Sequence, residues 1–153
     1  SHEELCGFLS KQPERKVVLT PHMGELAGLA GCTVAEVKGT DFTIAGETAE
    51  KLKCVLVSKD ARTYICEAGR RDAYLNTSGN SGMATAGSGD VLAGVIGGVL
   101  AQGMEAFEAS CMGVHLHGLA GDYAAGEKSE YGVIATDIAE AIPVILQRAE
   151  ERL

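Results

Sequence analysis

The residues with the greatest chemical content fall between Asn76 and Gly94, in the run Asn-Thr-Ser-Gly-Asn-Ser-Gly-Met-Ala-Thr-Ala-Gly-Ser-Gly-Asp-Val-Leu-Ala-Gly. Five of them are glycines, and Gly87-Ser88-Gly89-Asp90 stands directly before an apolar run. Without a Cβ, successive backbone N–H groups can converge on one concavity and hold anionic oxygens. A helix starting there adds unpaired N–H donors and the positive end of its dipole. That combination suits a phosphate. Asp90 is the exception, because a carboxylate repels the anion that the loop attracts. Two readings fit it. One is stabilisation of the helix start together with Ser88, worth roughly 0.3–1 kcal/mol for the charge. The other is a general base that takes a proton from a hydroxyl attacking a phosphoryl group. The run is not a Walker A loop, since it contains no Gly-Lys-Ser/Thr.

Other reactive side chains are less organised. His115 and His117 are two apart on a predicted helix, so they project in different directions and are poorly placed to share a metal. The five cysteines, Cys6, Cys32, Cys54, Cys66 and Cys111, form no Cys-x-x-Cys pair. Cys32, Cys54 and Cys111 sit among apolar neighbours and are expected to be buried, reduced thiols. Arg70-Arg71 is expected in a solvated turn, and Met83, Met104 and Met112 as core filler.

The elements that must position the glycine-rich run follow from the hydrophobic pattern. Residues 3–10 suggest the end of a helix, followed by a polar turn over 11–16. Val17–Thr20 is a short β-branched run consistent with a buried strand. Pro21 to Gly24 breaks it, and Glu25–Ala30 predicts a helical turn. Thr33-Val34-Ala35-Glu36 is a capping box. A helix over about 42–52 leads to a strand at 54–58, a turn at Lys59-Asp60-Ala61, a strand over 62–66 and another at 73–75. From Val91 onward apolar residues recur at three- and four-residue spacings, predicting helices over 91–103, 106–125 and 136–152. Strands early and helices late suggest a compact α+β unit or the back part of a larger α/β sheet.

Composition narrows the function classes. The chain has 153 residues, 46% hydrophobic and 22% charged, enough apolar content for a core in about one domain. Thirteen Lys and Arg against 21 Asp and Glu give a net charge of −8. No basic stripe is available to neutralise a phosphate backbone, and 5% aromatics offer little for base stacking, so a nucleic-acid partner is excluded. The longest apolar run, Val91–Ala101, is well short of the ~20 residues that a membrane-spanning helix needs. The balance is that of an acidic, soluble, cytoplasmic protein. The chain opens Ser-His-Glu-Glu-Leu without a methionine, which is the mark of a tag scar or an internal cut.

Gly82 to Gly94 closely resembles the signature of the NAD(P)H-hydrate dehydratase family, within the ribokinase-like superfamily. Leu19-Thr20-Pro21-His22-Met23-Gly24-Glu25 is similar to a second family signature, Thr-Pro-His-Pro-Gly-Glu. His115-Leu116-His117-Gly118-Leu119-Ala120-Gly121-Asp122 fits the family's helical C-terminal part. The resemblance runs from about Val17 to the end and implies a three-layer αβα ribokinase-like fold of the α/β class. It also implies that residues 1–153 are the C-terminal portion of one domain whose N-terminal part is absent.

The activity implied is repair of NADH or NADPH whose nicotinamide C5–C6 bond has taken up water. ADP or ATP phosphorylates the C6 hydroxyl, and phosphate then leaves as the ring double bond re-forms. Carried over by position, Asp90 would be the catalytic base and, with His22, would contact the hydrated substrate. Gly87, Ser88 and Gly89 would form the anion hole for the transferring phosphoryl. Lys59, Asp60, Ala61, Arg62 and Thr63 match a Lys-x-x-x-Thr nucleotide segment, and Gly89 would also touch the nucleotide. Glu25 stands where many ribokinase-like enzymes carry an acid that orders Mg²⁺; a helix-start charge is its other reading.

Three departures are visible. Met23 replaces a proline, Asp60 replaces a glycine, and the family's N-terminal part, with further strands and a glycine-rich segment, is missing. The expectation is a chain that self-associates or joins the missing N-terminal segment through an open sheet edge. A small-molecule kinase for a sugar or hydroxymethyl vitamin precursor, and a non-catalytic nucleotide-binding domain, are the alternatives.

Overall fold

The computed structural model describes Glu4, residues 7–9 and residues 16–151. Glu4 and residues 7–9 are helical, as expected. Residues 11–15 of the predicted turn over 11–16, and Cys6, lie outside the described residues. The chain divides into two compact units: Ser1–Leu75 with Glu105–Ser110, and Asn76–Met104 with Cys111–Leu153.

The first unit carries a four-stranded sheet in the order β1 (Val18–Leu19), β2 (Val55–Ser58), β3 (Tyr64–Glu67), β4 (Tyr74–Leu75). β1 and β2 are parallel, joined by helices α1 (Met23–Ala30), α2 (Val34–Gly39) and α3 (Thr43–Leu52). The pairs β2–β3 and β3–β4 are antiparallel, so the sheet is mixed. Every residue of β2 is buried, which is why its sequence shows a continuous apolar run rather than alternation. Leu26 of α1, Ala49 of α3 and Leu56 of β2 are almost completely removed from solvent and share one core with Val37 and Cys66. Burial of a side chain the size of Leu56 is worth about 1.5–3 kcal/mol.

Local sequence explains the helix starts. Thr33 Oγ1 accepts the Glu36 N–H at 3.3 Å, and Glu36 Oε2 accepts the Thr33 N–H at 2.7 Å. The Thr33 N–H, and after it the Thr33 hydroxyl, both donating to Oε2, hold the Glu36 carboxyl below its ordinary range. The expected capping box is therefore present. Arg70 and Arg71 are exposed just after the turn at Ala68–Gly69, as expected, but Arg70 is also engaged by neighbours. Its guanidinium lies 4.0 Å over the Phe107 ring and 3.5 Å from both Glu67 and Asp72 carboxylates. Phe107 is far away in sequence, so no local pattern announces the pair.

The second unit is helical: a 3₁₀ turn (Ser81–Met83), α4 (Ser88–Ala101), the greater part of α5 (Ala106–Lys128), and α6 (Ala135–Glu150). α4 begins three residues before the expected start, because Gly87, at φ 85°, makes the turn and Ser88, Gly89 and Asp90 fill the first helical turn. α4 packs on α6. Ala120, Ile138 and Ala141 form the centre of this core, with Met83 and Val91 against it. Met83 is thus the core filler expected, whereas Met104 and Met112 are 36% and 40% exposed. Of the thiols, Cys54 and Cys66 are buried and Cys32 and Cys111 half-buried, so Cys66 replaces two of the expected core cysteines. All four are free thiols. No described helix is long and apolar enough to cross a membrane.

Candidate functional site

In the first unit, two segments far apart in sequence meet at the C-terminal ends of β1 and β2. The parallel register Val18↔Val55 and Leu19↔Leu56 continues as a bridge between His22 and Lys59. There the Lys59 N–H donates to the Pro21 carbonyl at 2.9 Å. The carboxyl ends of parallel strands are where open α/β sheets bind ligands. His22 is the N-cap of α1, and its Nδ1 accepts the N–H groups of Gly24 and Glu25 at 3.0 and 3.1 Å. An acceptor at Nδ1 leaves the hydrogen of the neutral ring on Nε2. The imidazole is 63% exposed, so that N–H can donate outward.

Residues 59–63 form the loop of the β2–β3 hairpin. Asp60, Ala61 and Arg62 line a cavity of about 250 Å³ together with Lys38, Asp41 and Ser58. Lys59 itself is half-buried at the bridge, and Thr63 is half-buried at the entry to β3. Two cations and two carboxylates around one opening give a mixed electrostatic surface rather than a purely cationic one.

The glycine-rich run belongs to the second unit. The positive φ falls at Gly87 (85°), a conformation that is costly for side chains with a Cβ. Gly89 lies inside the first turn of α4. The Ser88 N–H donates to the Thr85 carbonyl at 3.2 Å, and those of Asp90 and Val91 to the Gly87 carbonyl at 3.0 and 3.1 Å. Among the described residues the Gly87 and Gly89 N–H groups have no protein acceptor. Of the three donors expected, these two are available to an anion in this conformation. Asp90 is exposed, and its carboxylate makes no hydrogen bond or ion pair among the described residues. A base needs that freedom.

The sequence reading missed how the run is held. One face of α5 backs it along its length. Asp122 accepts the Gly79 N–H through Oδ2 and the Asn80 amide through Oδ1, both at 2.9 Å. Ser78 Oγ donates to the His115 carbonyl at 3.1 Å. The backbones come close enough that a Cβ on Gly118 would lie 2.1 Å from Ser78 Oγ, and one on Gly121 2.2 Å from Met83 Sδ. His117 is buried, with Nε2 3.1 Å from the Ser88 carbonyl oxygen and 3.3 Å from Ser88 Oγ. The available signal was the spacing of His117, Gly118, Gly121 and Asp122, which puts all four on one helix face.

Metal chemistry has a limited purchase here. Among the described residues no group of three His, Cys, Asp or Glu could hold a metal ion. Mg²⁺ that arrives on phosphates keeps several waters and needs only one or two carboxylates. Glu25 is exposed; its Oε2 accepts the His22 N–H at 2.8 Å, and its Oε1 lies 3.7 Å from His22 Nε2. A single exposed carboxylate fits a water-mediated partner of such an ion, while its visible role is to close the α1 cap.

A family model described as NAD(P)H-hydrate dehydratase matches residues 2–144. The chain belongs to that family. It is 42% identical over 137 residues to a bifunctional NAD(P)H-hydrate repair enzyme of Moorella thermoacetica, covering 90% of this chain and 26% of that protein. An ADP/ATP-dependent NAD(P)H-hydrate dehydratase from Bacillus subtilis, co-crystallised with ATP/Mg²⁺, superposes with a TM-score of 0.82 at 32% identity, over 87% of this chain and 48% of that one. A ribokinase-like superfamily protein from Enterococcus faecalis gives 0.72 at 32% identity, covering 93% and 50%. The fold of this dehydratase-family chain is thus ribokinase-like α/β. The chain spans about half the length of these solved structures and about a quarter of the Moorella enzyme.

Proposed function

We propose that these residues serve the nucleotide-dependent dehydration of NADH or NADPH hydrate. The observation that carries this reading is an unpaired Asp90 carboxylate one residue after a backbone N–H that has no protein acceptor. In this mechanism Asp90 takes the proton of the substrate's C6 hydroxyl as that oxygen attacks the terminal phosphoryl group of ADP or ATP. The shortened nucleotide leaves, and the Gly87 and Gly89 N–H groups stabilise charge on the transferring phosphoryl oxygens. Phosphate then departs from C6 with the bonding electron pair, the C5 proton passes to water, and the C5–H electron pair restores the ring double bond. His22 donates its Nε2–H to the substrate, and residues 59–63 take the nucleotide.

Glu25 Oε1 would hold Mg²⁺ through water. The ion, when bound, supplies neutralisation of phosphate charge. Free thiols at the four described cysteines suit a cytoplasmic setting. Association through the edge of β1, with a second copy or a further segment, belongs to the same proposal, and light scattering reads it.

The test is to add NADH hydrate with ADP or ATP and follow the near-ultraviolet absorbance of reduced nicotinamide together with phosphate release. Absorbance regained with one phosphate per turnover supports the dehydratase. A persistent phosphate ester would point to a kinase, and nucleotide binding without turnover to a non-catalytic domain; either overturns the reading.

A further inference from the structure

We propose that His117 is a positioning residue that aims the Gly89 N–H at the anion, acting through the Ser88–Gly89 peptide; this rests on the function proposed above. The Ser88 carbonyl oxygen has no hydrogen to give, so an imidazole nitrogen 3.1 Å from it must be the donor. His117 therefore carries its hydrogen on Nε2. Ser88 Oγ, 3.3 Å from the same nitrogen, can take only a share of that hydrogen as an acceptor. The Ser88 hydroxyl hydrogen is then not spent on the imidazole.

The consequence lies in the peptide plane. The carbonyl of Ser88 and the N–H of Gly89 belong to one planar, trans peptide unit and point in opposite directions. Fixing the oxygen on one side fixes the N–H on the other. That N–H is one of the two in the run with no protein acceptor. The Ser88 carbonyl already belongs to the α4 ladder, but Gly89 has no side chain to lock its backbone and a first-turn N–H has no intrahelical partner, so a second donor on that oxygen adds to the fixing. His117 supplies that second donor from a buried site on α5, and Ser88 is buried as well. A hydrogen bond to the carbonyl also polarises the peptide and strengthens its N–H as a donor. The imidazole touches neither the nucleotide nor the substrate in this scheme.

The experiment compares His117→Gln, whose amide N–H reaches about where Nε2 lies, with His117→Leu, which removes the donor. Both are made in the full chain and titrated with ADP and with adenosine. For His117→Leu, ADP affinity should fall about tenfold, the scale of one charge-assisted hydrogen bond. Adenosine affinity should hold, and turnover should fall about 10²-fold, as for one lost anion-hole donor. His117→Gln should recover most of both. Equal loss of ADP and adenosine binding, or no recovery in the Gln variant, would reduce His117 to a packing residue and overturn the inference. Should the Leu variant fail to fold, ¹⁵N NMR of the wild-type ring decides: an unprotonated Nε2 overturns the proposal. Wild-type protein that binds ADP with a shift of the Gly89 amide, yet returns no NADH from its hydrate, refutes the proposed activity and leaves the His117 arm standing.

Discussion

Three glycines on α5 give a graded test of how closely that helix backs the glycine-rich run. A Cβ at Gly126 meets nothing within 4 Å, so Gly126→Ala should stabilise by up to about 1 kcal/mol, the difference in helix propensity between the two residues. A Cβ at Gly121 would fall 2.2 Å from Met83 Sδ and 2.6 Å from its Cγ, atoms of a flexible side chain rather than backbone. Met83 can rotate away at a cost near the low end of the ~1–3 kcal/mol of overpacking, which cancels the propensity gain. A Cβ at Gly118 would lie 2.1 Å from Ser78 Oγ and 2.8 Å from the Ser78 carbonyl carbon. Backbone cannot swing aside, and moving Ser78 also strains its bond to the His115 carbonyl. The cost belongs at about 3 kcal/mol, leaving Gly118→Ala about 2 kcal/mol less stable than wild type after the propensity gain. Urea denaturation of the full chain, read as a midpoint shift at constant slope, measures all three. The expected order is Gly126→Ala, Gly121→Ala, Gly118→Ala. A Gly118→Ala protein as stable as Gly126→Ala would refute the close approach of α5 to Ser78.

Asp90→Asn should lower dehydratase turnover by roughly 10²–10⁴ while nucleotide affinity holds or rises, measured by steady-state kinetics and calorimetry; a loss under about tenfold makes Asp90 a helix-end charge. Gly89→Val should abolish nucleotide binding with an unchanged circular dichroism spectrum, because its side chain would crowd the neighbouring free N–H; unchanged affinity refutes the anion cradle. Burial pushes the Cys54 and Cys66 thiols up to about 12 and about 11 from an ordinary 9.0. Raised acid groups favour the folded state below the unfolded value, so stability should decline as pH climbs above about 9 and through 11–12, and alkaline unfolding monitored by circular dichroism should weaken in a Cys54→Ala, Cys66→Ala protein.

The parts of the fold that were legible in sequence are those set by neighbours along the chain. The Thr33–Glu36 capping box, the apolar run of β2 and the spacing of α5 and α6 all belong to this class. The start of α4 was placed late because hydrophobic periodicity begins at Val91, whereas the helix is initiated by the small and polar residues that precede it. The bridge from His22 to Lys59 was out of reach, since a parallel register is decided by three intervening helices rather than by local pattern. Exposure of Met104 and Met112 was missed for a similar reason: residue type states a preference, and tertiary packing decides whether it is met. At the candidate site, the identity of the glycine-rich run was plain, but its division of labour was not. Which N–H groups stay free depends on carbonyl positions at Thr85 and Gly87, and the histidine behind them lies 29 residues away.

The first unit is not a continuous stretch of chain, and this has a consequence for synthesis. All four of its strands have been synthesised once Leu75 is made, yet Phe107, Ala109 and Ser110 also belong to it. Until they emerge, Arg70 has its two carboxylates but no ring to lie against. The glycine-rich run and α4 are therefore translated while the first unit still waits for its last buried residues, and its final closure is coupled in time to the start of α5. Slowing translation over residues 76–104 should prolong an intermediate that is open to protease at that seat.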